Sequence, residues 1–417
     1  MHTTMRPEGP WQTGADPAPD SRQRPLRILL ASDWWDNTVN GVVASVATLR
    51  RELESLGHEV RVLTLAEDLR SSQDGQVYRL GSLPASLIYA DARIGLLGQE
   101  AIHRDILRWT PDVVHSHNEF TAYRWARRIS SELAVPHVHT YHTIYEDYTH
   151  YYSPSLTVGR KVAAAFSRRA LAPTQAVIAP TEKVARLLAG YRVNSPIHVV
   201  PTGLALDRFR PATTAEAADT VQLRTQLQIP AGHTVLMGVG RLAKEKNIEE
   251  LLADLARAGR TDWTLVLVGD GPHRDAIAER VTQLGLTDRV RFTGVVDPTE
   301  VPRYYRLADV FVSASRSETQ GLTYIEAQAC GVPLLCRRDP ALDQVVLDGR
   351  TGWQYDTSAE FTGHLTDLLD DAQGRVRMGK AAAAHAHAHF GSATFGARVA
   401  QIYRDTRANQ RSRQVWP

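Results

Sequence analysis

Two acids, two cations and a set of glycines carry the chemistry readable in this 417-residue chain. Glu318 and Glu326 stand eight positions apart, with Gly321 and Leu322 between them. Residues 311–335 run as apolar stretch, polar loop, helix-like segment, glycine stop and apolar stretch, the order of a βαβ unit. In such a unit ligands bind beyond the carboxyl ends of the strands. Amides at Gly321 and Leu322 open the helix, where an anion is favoured. Carboxylates accept hydroxyl hydrogens and amides hold phosphate oxygens, so the pattern suits a ligand with hydroxyls on both sides of a phosphate. The alternative is a plain helix start whose acids complement the dipole.

Arg241 and Lys246 lie five positions apart after a strand, with Lys244 between them. Cations at a strand-to-helix junction neutralise a diphosphate, above all one that leaves with growing charge. Residues 238–243, GVGRLA, also fit a loose dinucleotide pattern. The acid such a site needs about twenty positions later is missing from a strand end, since Asp262 precedes its strand and Asp270 comes too late. Gly269 and Gly271 follow another strand and permit close backbone approach to a ligand, or form an ordinary turn. Asn40-Gly41-Val42 opens the first helix, where Gly41 admits a phosphate or a sugar. His117 and His142 sit at strand ends, with His115 and His139 as competing choices by parity. The sequence holds no D-x-D, no HExxH and no Walker A run. Diphosphate charge would then be offset by Arg241, Lys246 and helix dipoles, and metal-independent activity is expected.

The elements that must position these residues come in two series. Residues 27–33, 58–64, 112–117, 136–142, 175–180 and 198–201 read as buried parallel strands. Val43, Val46, Leu49 and Leu53 give the first helix its spacing, and Gly57 stops it. Residues 202–211 read as a hinge. A second series follows at 234–240, 264–268, 290–292, 310–312 and 334–335. Helices at 380–390 and 393–407 close the chain. The expected division is a disordered tail over 1–24, one domain over 25–203, a second over 204–392, and a closing helix and tail over 393–417.

Hydrophobic residues make up 43% of the chain, enough for large cores, and a net charge of +2 excludes a nucleic-acid binder by bulk charge. Cys330 and Cys336 are too few for a zinc site or a disulfide framework, which points to a cytoplasmic setting. The sequence has no run of about 18 apolar residues and no apolar signal core at the N-terminus. Residues 157–171, TVGRKVAAAFSRRAL, place Val158, Val162, Ala165, Phe166 and Leu171 on one helical stripe. Arg160, Lys161, Arg168 and Arg169 flank that stripe without an acid, and a tyrosine-rich run precedes it. A peripheral membrane helix is expected there, with an ordinary sheet-packed helix as the alternative.

Taken in order, these motifs resemble the retaining glycosyltransferases of family 4, which have the GT-B fold of two Rossmann-like domains facing a cleft. The matches are NGV at 40–42, HSH at 115–117, GRLAKEKNI at 240–248, VGDGP at 268–272, FTGVV at 292–296, the paired acids at 318 and 326, and GVPLL at 331–335. Residues 139–154, HTYHTIYEDYTHYYSP, look like the 1,2-diacylglycerol 3-glucosyltransferases and related lipid-glycosylating enzymes. One departure is CRRDPALD at 336–343, where Arg337 and Arg338 crowd a place that relatives fill with a small residue. The resemblance implies that Arg241 and Lys246 hold the diphosphate, that Glu318 binds the transferred sugar with the amides of Gln320, Gly321 and Leu322 beside it, and that the last helix, over 393–417, returns to the first domain. It implies that Glu326 binds ribose hydroxyls, Val295 lies by the base, and Gly41 faces the donor phosphates. It places His117 by the reacting carbon and His142, Tyr141 and Glu146 on the acceptor side. The implied reaction moves a hexose, glucose from UDP-glucose, to a lipid hydroxyl such as that of diacylglycerol, with no bound cofactor. Alternatives are a mannosyl- or galactosyltransferase acting on another lipid or a soluble glycan, a dinucleotide-dependent oxidoreductase, and a nucleotide-sugar-binding regulator without turnover.

Overall fold

The structure, a computed structural model, describes residues 24–35, 41–85, 93–96, 98–146 and 155–415. The expected tail up to residue 23, Asn40 and the end of the tyrosine-rich run (147–154) lie outside the described residues.

The first series of strands is β1 (Arg27–Ala31), β2 (Glu59–Leu65), β3 (Ser72–Asp74), β4 (Val77–Leu80), β5 (Ser82–Pro84), β6 (Arg93–Gly95), β7 (Val113–Ser116), β8 (His137–Thr140), β9 (Ala176–Ala179) and β10 (Ile197–Val199). Eight of them form one sheet in the order β10-β9-β8-β7-β1-β2-β4-β3, while β5 and β6 pair separately. Every pairing in the large sheet is parallel except β3 with β4. The helices of this half are α1 (Gly41–Ser55), α2 (Glu100–Trp109), α3 (Thr121–Leu133), α4 (Leu156–Leu171) and α5 (Glu182–Gly190).

The second half contributes α6 (Ala217–Gln226), α7 (Ile248–Arg257), α8 (Arg274–Gln283), α9 (Val301–Leu307), α10 (Leu322–Ala329), α11 (Ser358–Asp370) and α12 (Ala372–His389). Its strands are β11 (Thr234–Val239), β12 (Trp263–Val268), β13 (Val290–Gly294), β14 (Val310–Ser313), β15 (Leu334–Arg337) and β16 (Gly352–Tyr355). They form an all-parallel sheet in the order β13-β12-β11-β14-β15-β16.

Alternation along the strands sends residues to opposite faces, and both faces of each sheet are covered. In β1, Ile28 and Leu30 pack with Val46, Leu49 and Leu53 of α1, while Leu29 and Ala31 pack with Ile102 and Ile106 of α2 and Ala126 of α3. The final helix, α13 (Ser392–Val415), crosses back as expected. Its Phe395, Val399, Ile402 and Tyr403 lie in the same cluster as Ile28 and Val113 of the first sheet. Each such fully buried aliphatic contributes about 1.5–3 kcal/mol, enough to bind the return helix firmly. At the crossing point Leu204 bridges Gly391, and a Cβ on Gly203 would stand 2.7 Å from the Cα of Ser392. The outgoing hinge and the returning chain touch backbone to backbone.

In the first half, β3 to β6, α2, α3 and α5 lie where the sequence reading assigned no element. β16 is a further strand missing from that reading. β3 to β6 are three or four residues long, too short for a periodic signal. α2 did carry a signal, since Ile102, Ile106 and Trp109 share its buried face.

In each sheet the chain reverses direction beside one strand. β1 leads outward to β2 while β7 lies on its other side, and β11 leads outward to β12 while β14 lies on its other side. Ligands bind beyond the strand ends at these reversals.

Candidate active site

The loops at the second reversal carry most of the predicted residues. Gly238 and Val239 end β11, Gly240, Arg241 and Lys246 follow it, and Glu318 follows β14; all line one cavity with Leu242, Ser313, Thr323 and Tyr324. Lys246 donates to Glu318 Oε1 at 2.7 Å. Burial pushes the Glu318 carboxyl up, but the Lys246 ammonium outweighs it and holds the carboxyl below its ordinary value. Burial pulls Lys246 down, and Glu318 outweighs that in turn, leaving the ammonium above its ordinary value. Both groups are charged, so the pair offers a cation to a phosphate and an acceptor to a hydroxyl.

Gly321 caps α10 with φ of +77°, and a Cβ there would meet Leu342 Cδ2 and Tyr324 Cδ2, each at 2.9 Å. Gly41, exposed at the first turn of α1, faces Leu322 at the first turn of α10, its ideal Cβ lying 3.6 Å from Leu322 Cδ1. Two helix N-termini from the two halves therefore meet across the cleft, an arrangement that favours an anion between them. The side chain of Gln320 is used elsewhere. It accepts from the Thr202 amide at 2.8 Å and donates to the Thr202 carbonyl at 2.9 Å, pinning the hinge.

Glu326 lies one turn into α10, half-buried, and accepts from the Tyr305 hydroxyl at 2.8 Å. Burial pushes its carboxyl up to about 7, against the lowering effect of that hydroxyl. Val295, after β13, is 81% exposed and open to a planar ligand.

The two glycines after β12 bring protein backbone into close contact, as the turn reading expects. A Cβ on Gly269 would lie 2.1 Å from the Gly240 carbonyl oxygen, and one on Gly271 would lie 2.4 Å from that of Leu242. The close approach they permit is to the loop bearing Arg241, which the Asp270 carbonyl also holds through the Leu242 amide at 3.0 Å. The turn is a buttress.

Arg337 and Arg338 likewise depart from expectation. Arg337 pairs with Glu250 at 3.0 Å and lies over the Tyr355 ring, while Arg338 pairs with Asp356 at 2.8 Å and Asp348 at 3.4 Å. Their charges are met within the second half.

At the first reversal the histidine question has a chemical answer. His115 uses both ring nitrogens, on the Tyr403 hydroxyl at 2.6 Å and the Thr140 hydroxyl at 2.8 Å. His139 uses both, on Ser116 at 2.7 Å and Glu119 at 3.2 Å. His117 shares a 3.0 Å hydrogen bond with His142 and keeps Nε2 unpartnered in a buried position. Burial holds His117 well below its ordinary value and pulls His142 down to about 3, with neighbouring histidines adding to both shifts. These rings are neutral at pH 7. Tyr141 is not at the surface of the cleft: it is wholly buried, and its hydroxyl meets Ser167 at 2.8 Å. Glu146 is half-buried and paired with Arg160 at 3.6 Å.

Sequence reasoning passed over Asp33 and Glu119. Asp33 follows β1, accepts from the Ala122 amide at 2.8 Å and leaves Oδ2 unpartnered. Burial pushes its carboxyl up to about 7, opposed by that amide and reinforced by Glu119. Glu119 accepts from the Tyr145 hydroxyl at 2.5 Å. The signal for Asp33 was an acid directly behind a buried strand. Among the described residues no group of three or more His, Cys, Asp or Glu is arranged to hold a metal ion.

α4 packs on the first half through Gly159, Ala163, Ser167 and Leu171. Leu171 is therefore core, contrary to the expected stripe. Val158 at 55%, Val162 at 52% and Phe166 at 38% face solvent, and Phe166 stacks with the exposed Phe120 at 6.4 Å. Arg160, Lys161, Arg168 and Arg169 are exposed on the same helix. Among the described residues no helix is long and apolar enough to cross a membrane.

Comparison with known proteins gives consistent matches. Residues 39–208 match the family described as Glycosyltransferase Family 4, and residues 219–385 match Glycosyl transferases group 1. The alpha-monoglucosyldiacylglycerol synthase of Streptococcus pneumoniae is 34% identical over 348 residues, covering 82% of this chain and 78% of that protein. Its namesake from Acholeplasma laidlawii is 31% identical, covering 84% and 89%. A D-inositol 3-phosphate glycosyltransferase of Streptomyces scabiei is 32% identical, covering 70% and 67%. Among solved structures, the Anabaena protein HepE in complex with UDP-glucose superposes with a TM-score of 0.71 at 19% identity, covering 91% of this chain and all of that one.

Proposed function

Because the chain belongs to the family-4 glycosyltransferases of GT-B fold, we propose that it moves glucose from UDP-glucose to a lipid hydroxyl such as that of diacylglycerol, retaining the anomeric configuration. The observation that carries this reading is the meeting of the α1 and α10 N-termini beside the paired Lys246 and Glu318. The diphosphate lies between the helix ends, with Arg241 and Lys246 on its oxygens. Glu318 accepts from hydroxyls of the sugar, and Glu326 from the ribose. The amides of Gln320, Gly321 and Leu322 add fixed dipoles, and Val295 lies by the base. His117 and the first turn of α1 approach the sugar from the other half, with His142 and Glu146 nearer the acceptor.

In the reaction the bond between the sugar carbon and the diphosphate oxygen breaks. The acceptor oxygen bonds to that carbon on the same face, and its proton passes to the departing oxygen. No protein nucleophile is needed. The side chains act by holding charge and excluding water. Support for the donor comes from the UDP-glucose complex of HepE, and for the acceptor from the names of the two synthases. A second reading, mannosyl transfer, has support from a GDP-mannose-dependent mannosyltransferase of Mycolicibacterium smegmatis, 30% identical over 52% of this chain. Incubation with a panel of nucleotide sugars and extracted lipids, followed by mass identification, separates the two. A glucosyl lipid formed only with UDP-glucose is expected, and it should form undiminished in excess EDTA. Complete loss of activity in EDTA that Mg²⁺ restores would refute metal independence.

The acceptor resides in a bilayer, and α4 supplies a surface to meet it. Its exposed valines and Phe166 stand among four cations, as an anionic interface requires. The apolar area is small, so binding should be weak and salt-sensitive. Wild type should pellet with vesicles rich in anionic lipid and release at high salt. A variant with Arg160, Lys161, Arg168 and Arg169 changed to Gln should stay in the supernatant and still bind UDP. Equal pelleting of both proteins would remove α4 from the account.

A further inference from the structure

Glu318 is gripped from two sides. Its carboxylate is held by Lys246 of its own half at 2.7 Å. Its backbone is held from the other half, because Lys183, the second residue of α5, donates to the Glu318 carbonyl at 3.0 Å and reaches the Arg316 carbonyl at 3.3 Å. The same ammonium lies 2.8 Å from both carboxylate oxygens of Asp339, which follows β15 and is 1% exposed. Next to it, the Thr181 hydroxyl donates to the Thr319 carbonyl at 2.9 Å. Asp339 is otherwise engaged by the Ala341 amide at 2.8 Å.

We infer that Lys183 is a positioning residue: a latch between the two halves that sets the Glu318 loop and couples its geometry to closure of the cleft. A buried carboxylate deprived of its cation is strongly unfavourable, so separation at this seam must either hydrate Asp339 or leave it unpaired. The pair therefore favours the closed arrangement. Closure brings the first half onto the carbonyls on either side of Ser317, so the sugar-facing acid takes its place only when the halves are docked. Domain closure that completes a site in this way ties donor grip to water exclusion. The inference rests on the reading of Glu318 as the residue that meets the transferred sugar.

Two readouts test it, one of them independent of the donor. In the ligand-free protein, Lys183→Met should shift the small-angle scattering profile toward a larger radius of gyration, and Lys183→Arg should restore it. With UDP-glucose and lipid acceptor, Lys183→Met should lower kcat by about tenfold or more, the scale for a misplaced catalytic contact. UDP affinity should hold within about twofold, because UDP lacks the sugar that Glu318 meets. Lys183→Arg should recover most of the rate, and Asp339→Asn should add little in the Lys183→Met background, since the pair is already broken. A merely structural lysine would lower the melting temperature without moving the kcat of the folded enzyme. Wild-type scattering for Lys183→Met overturns the latch. An opened profile with unchanged kcat overturns the coupling to Glu318. If the wild type turns over no nucleotide sugar, the functional reading falls and the scattering alone decides the latch.

Discussion

Lys246→Ala should lower turnover by about 10²-fold or more, the scale for removing a preorganised contact to developing charge. Lys246 meets the buried Glu318 carboxylate at 2.7 Å. Removing the ammonium deprives the leaving diphosphate of a fixed cation, and it leaves Glu318 buried beside that gap. Glu318→Ala should fall by a similar factor for a different reason, because it takes away the acceptor for the sugar hydroxyls. The two variants separate in binding. UDP should bind Glu318→Ala nearly as well as wild type, whereas Lys246→Ala should weaken it. The double variant should lose little more than either single one, since the residues act as a unit. Steady-state kinetics and UDP titration of the three proteins check this. Near-normal rates in both folded single variants would make the site assignment wrong.

Gly269→Ala should damage both stability and donor binding. The position has φ of +127°, where L side chains are rare, and its Cβ would lie 2.1 Å from the Gly240 carbonyl oxygen. Backbone strain of about 1–3 kcal/mol adds to overpacking of similar size. A loss of about 3 kcal/mol corresponds to about 6–12 °C in a domain of this size. The displaced backbone is the one that carries Arg241, so UDP affinity should fall with stability. Gly285→Ala is the control. Its φ is +65° with nothing within 4 Å of the added carbon. That change carries only the left-handed penalty of about 1–2 kcal/mol and should leave UDP binding intact. Thermal melts and UDP titration of the two variants decide the matter. Equal melting temperatures for Gly269→Ala and wild type would refute the buttress.

The parts of this architecture written locally could be read from the sequence. The strand ends after β1, β7, β11 and β14 and the glycine start of α10 followed from runs of apolar residues and their stops, while the return of the last helix was implied by the family resemblance alone. What the glycines touch could not be read. Gly269 and Gly271 signal a close approach, but the approaching atoms, at Gly240 and Leu242, come from another loop. The choice between His115 and His117 was undecidable by alternation because residues two apart share a strand face, and the two rings lie 4.2 Å apart. What the structure adds is that Tyr403, 288 residues further along, occupies one ring nitrogen of His115. On α4 the exposed valines were legible as a stripe, but the packing face of small residues was not, because Gly159, Ala163 and Ser167 give little hydrophobic signal. Lys183 was invisible for a third reason: its partners belong to the other half.

The most direct test of the account is the configuration of the product. Wild-type protein is incubated with UDP-glucose and diacylglycerol in vesicles containing anionic lipid, and the hexosyl lipid is purified for mass and for proton NMR. The expected product is a monoglucosyl lipid whose anomeric proton shows the small coupling of an α linkage, the configuration the sugar has in the donor. A β-linked product, or UDP binding with no hexosyl lipid formed, would contradict it.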